Sequence, residues 1–273
     1  MSKIFDSMIE AAREAGEAVL EIYGRDNVSI EIKSDSSPLT LADKEAHRLI
    51  CNRLRLKHPD IPILSEESEE LPYKERSLWE TFFLVDPLDG TKEFISRNGE
   101  FTINIALINR GNPIAGVVYV PVQDKLYFGD TIANQSFFEL DGDRIPLGTR
   151  AVSSEKELGI VASRRHGEEN LKKFLLEMSK RFLKLNTVNV GSSLKFCLIA
   201  EGKADIYPRL APTSEWDTAA AQAVVEASGG RVFDLSFNTL RYNTKESYLN
   251  PYFIVVGDKS FNWPDYLKIL ASN

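Results

Sequence analysis

Cysteine is nearly absent from this chain of 273 residues: only Cys51 and Cys197 occur. Both stand among apolar residues in stretches with helical periodicity, which predicts buried free thiols rather than a disulfide. A chain of this length can bury enough surface to fold without a disulfide or a structural metal. Free thiols are typical of a reducing compartment, so we expect a cytoplasmic location.

Long apolar runs and an excess of positive charge are also missing. The first stretch of the chain alternates charged and apolar side chains, so we expect neither a signal peptide nor a membrane-spanning segment there. Lysine and arginine number 33 against 40 aspartates and glutamates, a formal net charge of -7. That balance argues against nucleic acid or an anionic membrane as a partner held by bulk charge. A small anionic substrate stays open, because metal ions and a few basic side chains can reverse the sign locally.

The predicted order of helices and strands changes near the middle of the chain. The first part predicts a helix from Phe5 to Tyr23, a second helix capped by Thr40, and short strands at 82–85, 101–107, 114–120, 126–128 and 137–140. Later strands, expected at 159–162, 187–190, 204–207 and 252–256, alternate with helices at 169–182, 192–200, 216–227 and the C-terminus. We therefore predict an N-terminal α+β domain over residues 1–150 with an antiparallel sheet, and a C-terminal α/β domain over residues 151–273.

One acidic segment, Asp86-Pro87-Leu88-Asp89-Gly90-Thr91, directly follows an apolar strand. Pro87 and Gly90 predict a sharp turn that brings Asp89 back towards Asp86. Two carboxylates ~4 Å apart repel by roughly 4 kcal/mol at an effective dielectric constant near 20, and a bound Mg²⁺ would offset that repulsion. The alternative is a surface turn with no ligand. The spacing does not fit an EF-hand calcium loop.

Two further acidic segments strengthen the hypothesis of a metal site. Glu66-Glu67 stands at the end of a short apolar strand, and Trp216-Asp217 stands at the start of a predicted helix. Taken singly, a glutamate pair is usually a solvated loop, and an acid at a helix N-terminus is favoured by the helix dipole alone.

Together, and in this order, the three segments resemble the signature segments of the inositol monophosphatase superfamily, and Gly229-Gly230 extends the match. The resemblance covers nearly the whole chain. It implies a layered αβαβα sandwich of the inositol monophosphatase / fructose bisphosphatase type and a phosphomonoesterase that uses two or three Mg²⁺ ions and is inhibited by Li⁺. It also implies a set of metal ligands: Glu66, Asp86, the Leu88 carbonyl, Asp89 and Asp217.

The same resemblance implies the catalytic residues. Asp43 lies in a segment similar to the superfamily's Ser-Pro-Val-Thr-x-x-Asp, with Leu39 in place of the valine. By resemblance Asp43 and Thr91 orient the attacking water, and Glu66 takes part in catalysis. Without the resemblance, Asp43 reads equally well as an acid in the first turn of a helix.

Within the superfamily, four segments are similar to the bacterial CysQ-type 3'(2'),5'-bisphosphate nucleotidases, which remove the 3'-phosphate from adenosine 3',5'-bisphosphate to give AMP in sulfur assimilation. These segments are 91–95, 97–102, 191–198 and 204–209. By resemblance, a nucleotide bisphosphate contacts Glu66, Leu88, Asp89, Gly90, Thr91, His166, Ser192, Lys195, Arg209 and Asp217.

The residue chemistry agrees with a substrate that carries two phosphates. Ser192 at a predicted helix start, Lys195 one turn later and Arg209 at a strand end could form a second anion site away from the metals. Taken singly, Lys195 and Arg209 are more commonly solvent-exposed charges.

Several alternatives stay open at this point. An inositol or sugar-phosphate phosphatase would use the same metal site without needing Lys195 and Arg209. A metal- or nucleotide-binding module without catalysis is a second alternative. A monomer or a homodimer fits the sequence equally well, and the resemblance leaves room for peripheral association with the inner membrane.

Overall fold

The computed structural model describes residues 3–25, 30–32, 38–162 and 168–267. Its helices are α1 (Lys3–Tyr23), α2 (Leu41–Lys57), α3 (Tyr73–Arg76), α4 (Thr91–Ile95), α5 (Glu168–Ser179), α6 (Leu194–Ala200), α7 (Ala219–Ala227) and α8 (Trp263–Leu267). Its strands are β1 (Ile30–Ile32), β2 (Pro38–Thr40), β3 (Ile63–Ser65), β4 (Thr81–Asp89), β5 (Thr102–Asn109), β6 (Asn112–Val120), β7 (Lys125–Asp130), β8 (Gln135–Leu140), β9 (Asp143–Pro146), β10 (Glu157–Ala162), β11 (Lys184–Asn189), β12 (Ile206–Arg209), β13 (Arg231–Asp234) and β14 (Phe253–Val256).

Two sheets carry the fold. The larger sheet has the order β3-β4-β5-β6-β7-β8-β9, and all its neighbours are antiparallel except β3 and β4. The smaller sheet has the order β11-β10-β12-β14-β13, in which β10 runs parallel to β11 and β12. A short antiparallel pair, β1-β2, precedes α2.

Helices fill three layers around these sheets. The apolar faces of α1 and α2 share one core with the outer face of the larger sheet. Helices α6 and α7 lie between the two sheets and contribute to a second core with residues from both of them. Helices α5 and α8 cover the far face of the smaller sheet. The predicted αβαβα sandwich is therefore confirmed.

Close packing of α7 on the larger sheet sets the position of the middle layer. Gly116 on β6 faces the backbone of Ala220, and a Cβ atom at residue 116 would lie 2.1 Å from the Ala220 carbonyl oxygen. Because no real Cβ contact is that short, any side chain at this position would push α7 outward. The small residues at the start of α7 and the glycine opposite them thus bring the turn before α7, which holds Asp217, next to the larger sheet.

Most predicted elements are present, but the starts of two helices differ from the prediction. The helix predicted from residue 192 begins at Leu194, because Ser192 has a left-handed φ of 45° that a helix cannot continue. The helix predicted from residue 216 begins at Ala219, after the N-cap residue Thr218. Strands β1, β2, β9 and β13 and helices α3 and α4 were not predicted. The predicted domain boundary near residue 150 falls between β9 and β10. Helices α6 and α7 pack on both sheets, so the two halves share a core, and their division into two domains stays a prediction.

Both cysteines are buried free thiols, as predicted from their apolar surroundings. Among the described residues, no helix has both the length and the apolar character needed to cross a bilayer. The cytoplasmic location stays a prediction.

Candidate active site

A β-bulge in β4, rather than the predicted turn, brings the two aspartates of the acidic segment together. Asp86 pairs with Asn104 and Asp89 pairs with Thr102, so three steps on β4 match two steps on β5. In a regular strand, residues three apart point to opposite faces, but the extra residue returns Asp89 to the face of Asp86. Both carboxylates therefore face the middle layer, while the side chain of Leu88 packs in the outer core.

Three carboxylates from different parts of the chain converge next to this bulge. Glu66, Asp86 and Asp217 each place a carboxylate oxygen within 4.8 Å of the other two. Glu66 follows β3, and its backbone N–H donates to the Val85 carbonyl on β4 at 3.1 Å. Asp217 lies in the turn before α7, where its carboxylate accepts a hydrogen bond of 2.9 Å from the Ser214 N–H.

The electrostatics of this cluster favour a bound cation. Burial, followed by repulsion from Glu66, Asp89 and Asp217, raises the pKa of Asp86 well above its usual value. Burial and repulsion from Asp89 and Glu66 do the same to the pKa of Asp217. The Leu88 N–H donates to Asp86 Oδ1 at 3.0 Å and opposes the shift. Clustered carboxylate oxygens are the ligands that hard divalent cations prefer, so these residues fit such an ion.

Asp89 lies beside the cluster, but its carboxylate is held by different partners. Burial is the largest influence on its pKa and raises it, while the Lys195 ammonium and hydrogen bonds from the Ser193 hydroxyl and N–H lower it. The Asn104 amide nitrogen lies 3.5 Å from Asp89 Oδ2. Asp89 therefore joins the carboxylates to the basic side of the site.

The predicted catalytic pair Asp43 and Thr91 is in contact. The Thr91 hydroxyl, in the first turn of α4, donates to Asp43 Oδ1 at 3.2 Å. Asp43 Oδ2 accepts hydrogen bonds from the N–H and the hydroxyl of Thr40, at 2.7 and 2.6 Å, in a capping box at the start of α2. Asp43 is 2% exposed. The helix cap and the contact with Thr91 are thus made by the same carboxylate.

Gly90 allows the turn between Asp89 and Thr91. Its φ is +93°, a left-handed conformation that favours glycine, and a Cβ atom there would lie 3.3 Å from Cβ of Ser192. The close approach brings the start of α4 against the segment that leads into α6.

A cavity of about 130 Å³ opens between these two segments and the turn before α7. Asp89 and Asp217 form part of its acidic wall, and Lys195 and Arg209 form part of its basic wall. Lys195 is 6% exposed, and its ammonium donates to the Ser192 carbonyl at 2.8 Å. Burial is the main reason that the pKa of Lys195 falls to about 8, and the Arg209 charge lowers it further.

Arg209 is anchored before any ligand arrives. Its Nε and Nη2 atoms donate to the carbonyls of Ala211 and Pro212 at 3.1 and 2.8 Å. Tyr207, on the same strand, lines the cavity between the two basic residues, and burial raises its pKa to about 12. The basic wall is therefore largely pre-formed.

The prediction that Ser192 lies at a helix start is wrong, since α6 begins two residues later. Ser192 does line the cavity, and its hydroxyl oxygen is buried without a hydrogen-bond partner in the described part of the chain. His166, also predicted to contact a nucleotide, lies outside the described residues.

Two polar residues next to the carboxylates, Asn104 and Ser193, were not singled out from the sequence. Asn104 lies in the middle of an apolar alternating strand, and Ser193 follows Ser192 in the segment before α6. A polar residue at a core-facing position of β5 is the one signal that could have found Asn104.

Comparison with known proteins places these residues in a family context. The model of the inositol monophosphatase family matches residues 1–262. The chain is 44% identical over 253 residues to the 3'(2'),5'-bisphosphate nucleotidase CysQ of Escherichia coli K12, a match that covers 92% of this chain and 99% of that protein.

Two solved structures are similar to this chain over nearly its whole length. CysQ from Bacteroides thetaiotaomicron, described as a bacterial member of the inositol monophosphatase family, is 40% identical with a TM-score of 0.81 and covers 93% of this chain and 97% of its own. An inositol monophosphatase from Thermotoga maritima is 23% identical with a TM-score of 0.74 and covers 98% of this chain and 96% of its own, which shows the shared fold alone.

Proposed function

The chain belongs to the inositol monophosphatase family. On that basis we propose that it is a metal-dependent phosphomonoesterase. Its proposed reaction is hydrolysis of the 3'-phosphate of adenosine 3',5'-bisphosphate to give AMP and phosphate. The similarity to proteins named 3'(2'),5'-bisphosphate nucleotidase extends over most of the chain. The reaction suits recycling of this nucleotide in sulfur assimilation.

The observation that supports the proposal most is that one cleft has an acidic wall and a basic wall. A carboxylate cluster suited to divalent cations lies at one end, and a buried lysine and an anchored arginine lie at the other. A substrate with one phosphate needs only the first end. A substrate with two phosphates makes use of both, because the second phosphate neutralises Lys195 and Arg209.

Members of this family are metal-dependent, and the acidic cluster fits that requirement. We propose Mg²⁺ as the ion, two or three per chain, held by Glu66, Asp86, Asp89, Asp217 and the Leu88 carbonyl. Bound divalent cations supply charge neutralisation at the phosphoryl oxygens. The carboxylates hold the ions, and their mutual repulsion is relieved in doing so.

Thr91 and Asp43 handle the attacking water in this proposal. The Thr91 hydroxyl donates to Asp43 Oδ1, which leaves the lone pairs of Thr91 Oγ1 free to accept a proton from a water molecule. As that proton moves to Thr91 Oγ1, the hydroxyl proton of Thr91 can pass to Asp43 Oδ1. Asp43 keeps its position because Thr40 holds its other oxygen.

The substrate contacts follow from the two walls. Lys195 and Arg209 bind the phosphate that does not react, and beside them lies the Ser192 hydroxyl, which has no hydrogen-bond partner among the described residues. Gly90 and Thr91 lie against the reacting phosphate. An inositol phosphate lacks a second anion for the basic wall, so this cleft would leave the buried Lys195 and the half-buried Arg209 without an anionic ligand.

A phosphate-release assay on two substrates tests the proposal. With Mg²⁺ present, we expect kcat/KM for adenosine 3',5'-bisphosphate to exceed that for inositol 1-phosphate by about 10²-fold, the value of one charge-assisted contact of roughly 3 kcal/mol. The nucleotide product should be AMP rather than adenosine 3'-phosphate, and chelation by EDTA should stop the reaction. Equal or faster hydrolysis of inositol 1-phosphate would assign the site to the alternative phosphatase class. Tight binding of the nucleotide without phosphate release would indicate a binding module.

A further inference from the structure

Ser193 connects the two parts of the chain that contribute carboxylates to the site. Its hydroxyl donates to the backbone carbonyl of Asp217 at 3.0 Å. Its hydroxyl and N–H also lie beside the carboxylate of Asp89, whose pKa they lower. The Asn104 amide nitrogen donates to the same hydroxyl oxygen at 3.0 Å. One hydroxyl thus contacts β5, the bulge of β4 and the turn before α7.

The two polar side chains that make these contacts are enclosed. Asn104 and Ser193 are each 1% exposed. The hydroxyl of Ser193 has a single proton, which it gives to the Asp217 carbonyl, so its N–H is the donor beside Asp89. Since bulk water does not reach Asn104 and Ser193, their contacts help to set the geometry of the two acidic residues.

The orientation of the Asn104 amide supports a role beyond filling space. Its nitrogen faces Ser193 Oγ and Asp89 Oδ2, and its oxygen is buried with no hydrogen-bond partner in the described ranges. Leaving an amide oxygen unpaired is unfavourable. The opposite orientation would place that oxygen against two other oxygens, so the need for a donor next to Asp89 fixes the amide.

We propose that Ser193 and Asn104 are positioning residues that hold Asp89 and Asp217 at the correct separation across the two sheets. The proposal deepens the proposed function and rests on it for the identity of the substrate. Ser193 also belongs to the segment that carries Ser192 and Lys195, so the same residue fixes the carboxylates relative to the basic wall.

Substitution of Ser193 separates this role from ordinary core packing. Ser193→Ala removes the hydroxyl and keeps the N–H, and Ser193→Thr keeps the hydroxyl. For an outer partner of metal-binding residues, we expect Ser193→Ala to weaken Mn²⁺ binding, measured by electron paramagnetic resonance without substrate, by about 10-fold or more. The Mg²⁺ concentration for half-maximal activity should rise in parallel, and kcat should fall while KM for adenosine 3',5'-bisphosphate changes little. Ser193→Thr should restore Mn²⁺ binding.

Ser228→Ala is a matched control, because Ser228 is a buried serine whose hydroxyl donates to the Val225 carbonyl at 2.8 Å, away from the cleft. The melting temperature in EDTA should fall similarly in both alanine variants, while Mn²⁺ affinity falls in Ser193→Ala alone. Asn104→Ala should also weaken Mn²⁺ binding. The double variant should lose less than the sum of the two, since Asn104 acts partly through Ser193.

Unchanged Mn²⁺ affinity in Ser193→Ala and Asn104→Ala would overturn the proposal, as would equal losses in Ser228→Ala. The result is independent of the substrate assignment. If the wild-type protein does not hydrolyse adenosine 3',5'-bisphosphate but Ser193→Ala still weakens Mn²⁺ binding, the proposed function fails and the positioning role stands.

Discussion

The two ends of the cleft are built from opposite charges, yet burial shifts both towards their neutral forms. Burial and mutual repulsion raise the pKa values of Asp86 and Asp217, and burial lowers the pKa of Lys195 to about 8. At the acidic end, the neighbours of each carboxylate are mostly other carboxylates. At the basic end, Lys195 and Arg209 already donate to backbone carbonyls.

The acidic end therefore depends more on a bound ligand than the basic end does. Burial and repulsion oppose the charged forms of Asp86 and Asp217, and cations among them would offset that repulsion. The basic side chains are held in place by the backbone and need an anion only to balance their charge. Loss of an acidic residue should therefore abolish chemistry, whereas loss of a basic residue should mainly weaken recognition.

The largest effect is expected from Asp89→Asn. Asp89 is where the two ends meet, since its carboxylate faces both the acidic cluster and Lys195. Removal of its charge should lower kcat by about 10³-fold or more, comparable with the loss of a principal electrostatic contact to the transition state. The far-ultraviolet circular dichroism should be unchanged, because the variant keeps the shape of the side chain. Asp60→Asn, at an exposed position, is the control. Near-normal phosphate release by Asp89→Asn with Mg²⁺ present would contradict the assignment of the acidic end.

A smaller and more selective effect is expected from Lys195→Met. The variant keeps a side chain of similar length but removes the charge from the basic wall. We expect KM for adenosine 3',5'-bisphosphate to rise by about 10²-fold, from the loss of a charge-assisted contact of roughly 3 kcal/mol. Hydrolysis of inositol 1-phosphate should change much less. Lys156→Met, at an exposed position, should leave both activities unchanged. An equal loss on both substrates would mean that the two ends do not divide chemistry and recognition.

The sequence predicted which residues form the acidic end better than it predicted how they are arranged. Glu66, Asp86 and Asp217 each stand beside a recognisable strand or helix, so their role in one site could be inferred from the order of the segments and their resemblance to a family. The bulge in β4 could not be inferred, because Pro87 and Gly90 favour a tight turn equally well. The expectation of a turn was wrong, although it placed the two aspartates on the same side.

The contacts that connect the two sheets could not be predicted from the local pattern of apolar and polar residues. Ser193 and Asn104 lie 89 positions apart and meet only because α6 packs between the sheets. The packing of α7 against Gly116 depends on the same layer. Periodicity predicts which residues of one element share a face, but it does not say which faces of distant elements will meet.

The smallest expected effect tests whether burial alone can raise the pKa of a carboxylate in this protein, away from the cleft. Glu226, on α7, accepts a hydrogen bond of 3.0 Å from Gln222, and burial raises its pKa to about 7. Between its unfolded value of 4.5 and 7, the unfolded chain releases this proton while the folded chain keeps it, so the free energy of unfolding falls as the pH rises. Glu226→Gln removes this loss of stability.

Urea unfolding in EDTA should show the Glu226→Gln variant more stable than wild type by about 1 to 3 kcal/mol at pH 8 and nearly equal to it at pH 4.5, with turnover unchanged. Glu169→Gln, at an exposed position, is the control. If the difference between variant and wild type were the same at both pH values, burial alone would not explain raised carboxylate pKa values here, and the repulsion within the cluster would carry more of the effect at the acidic end.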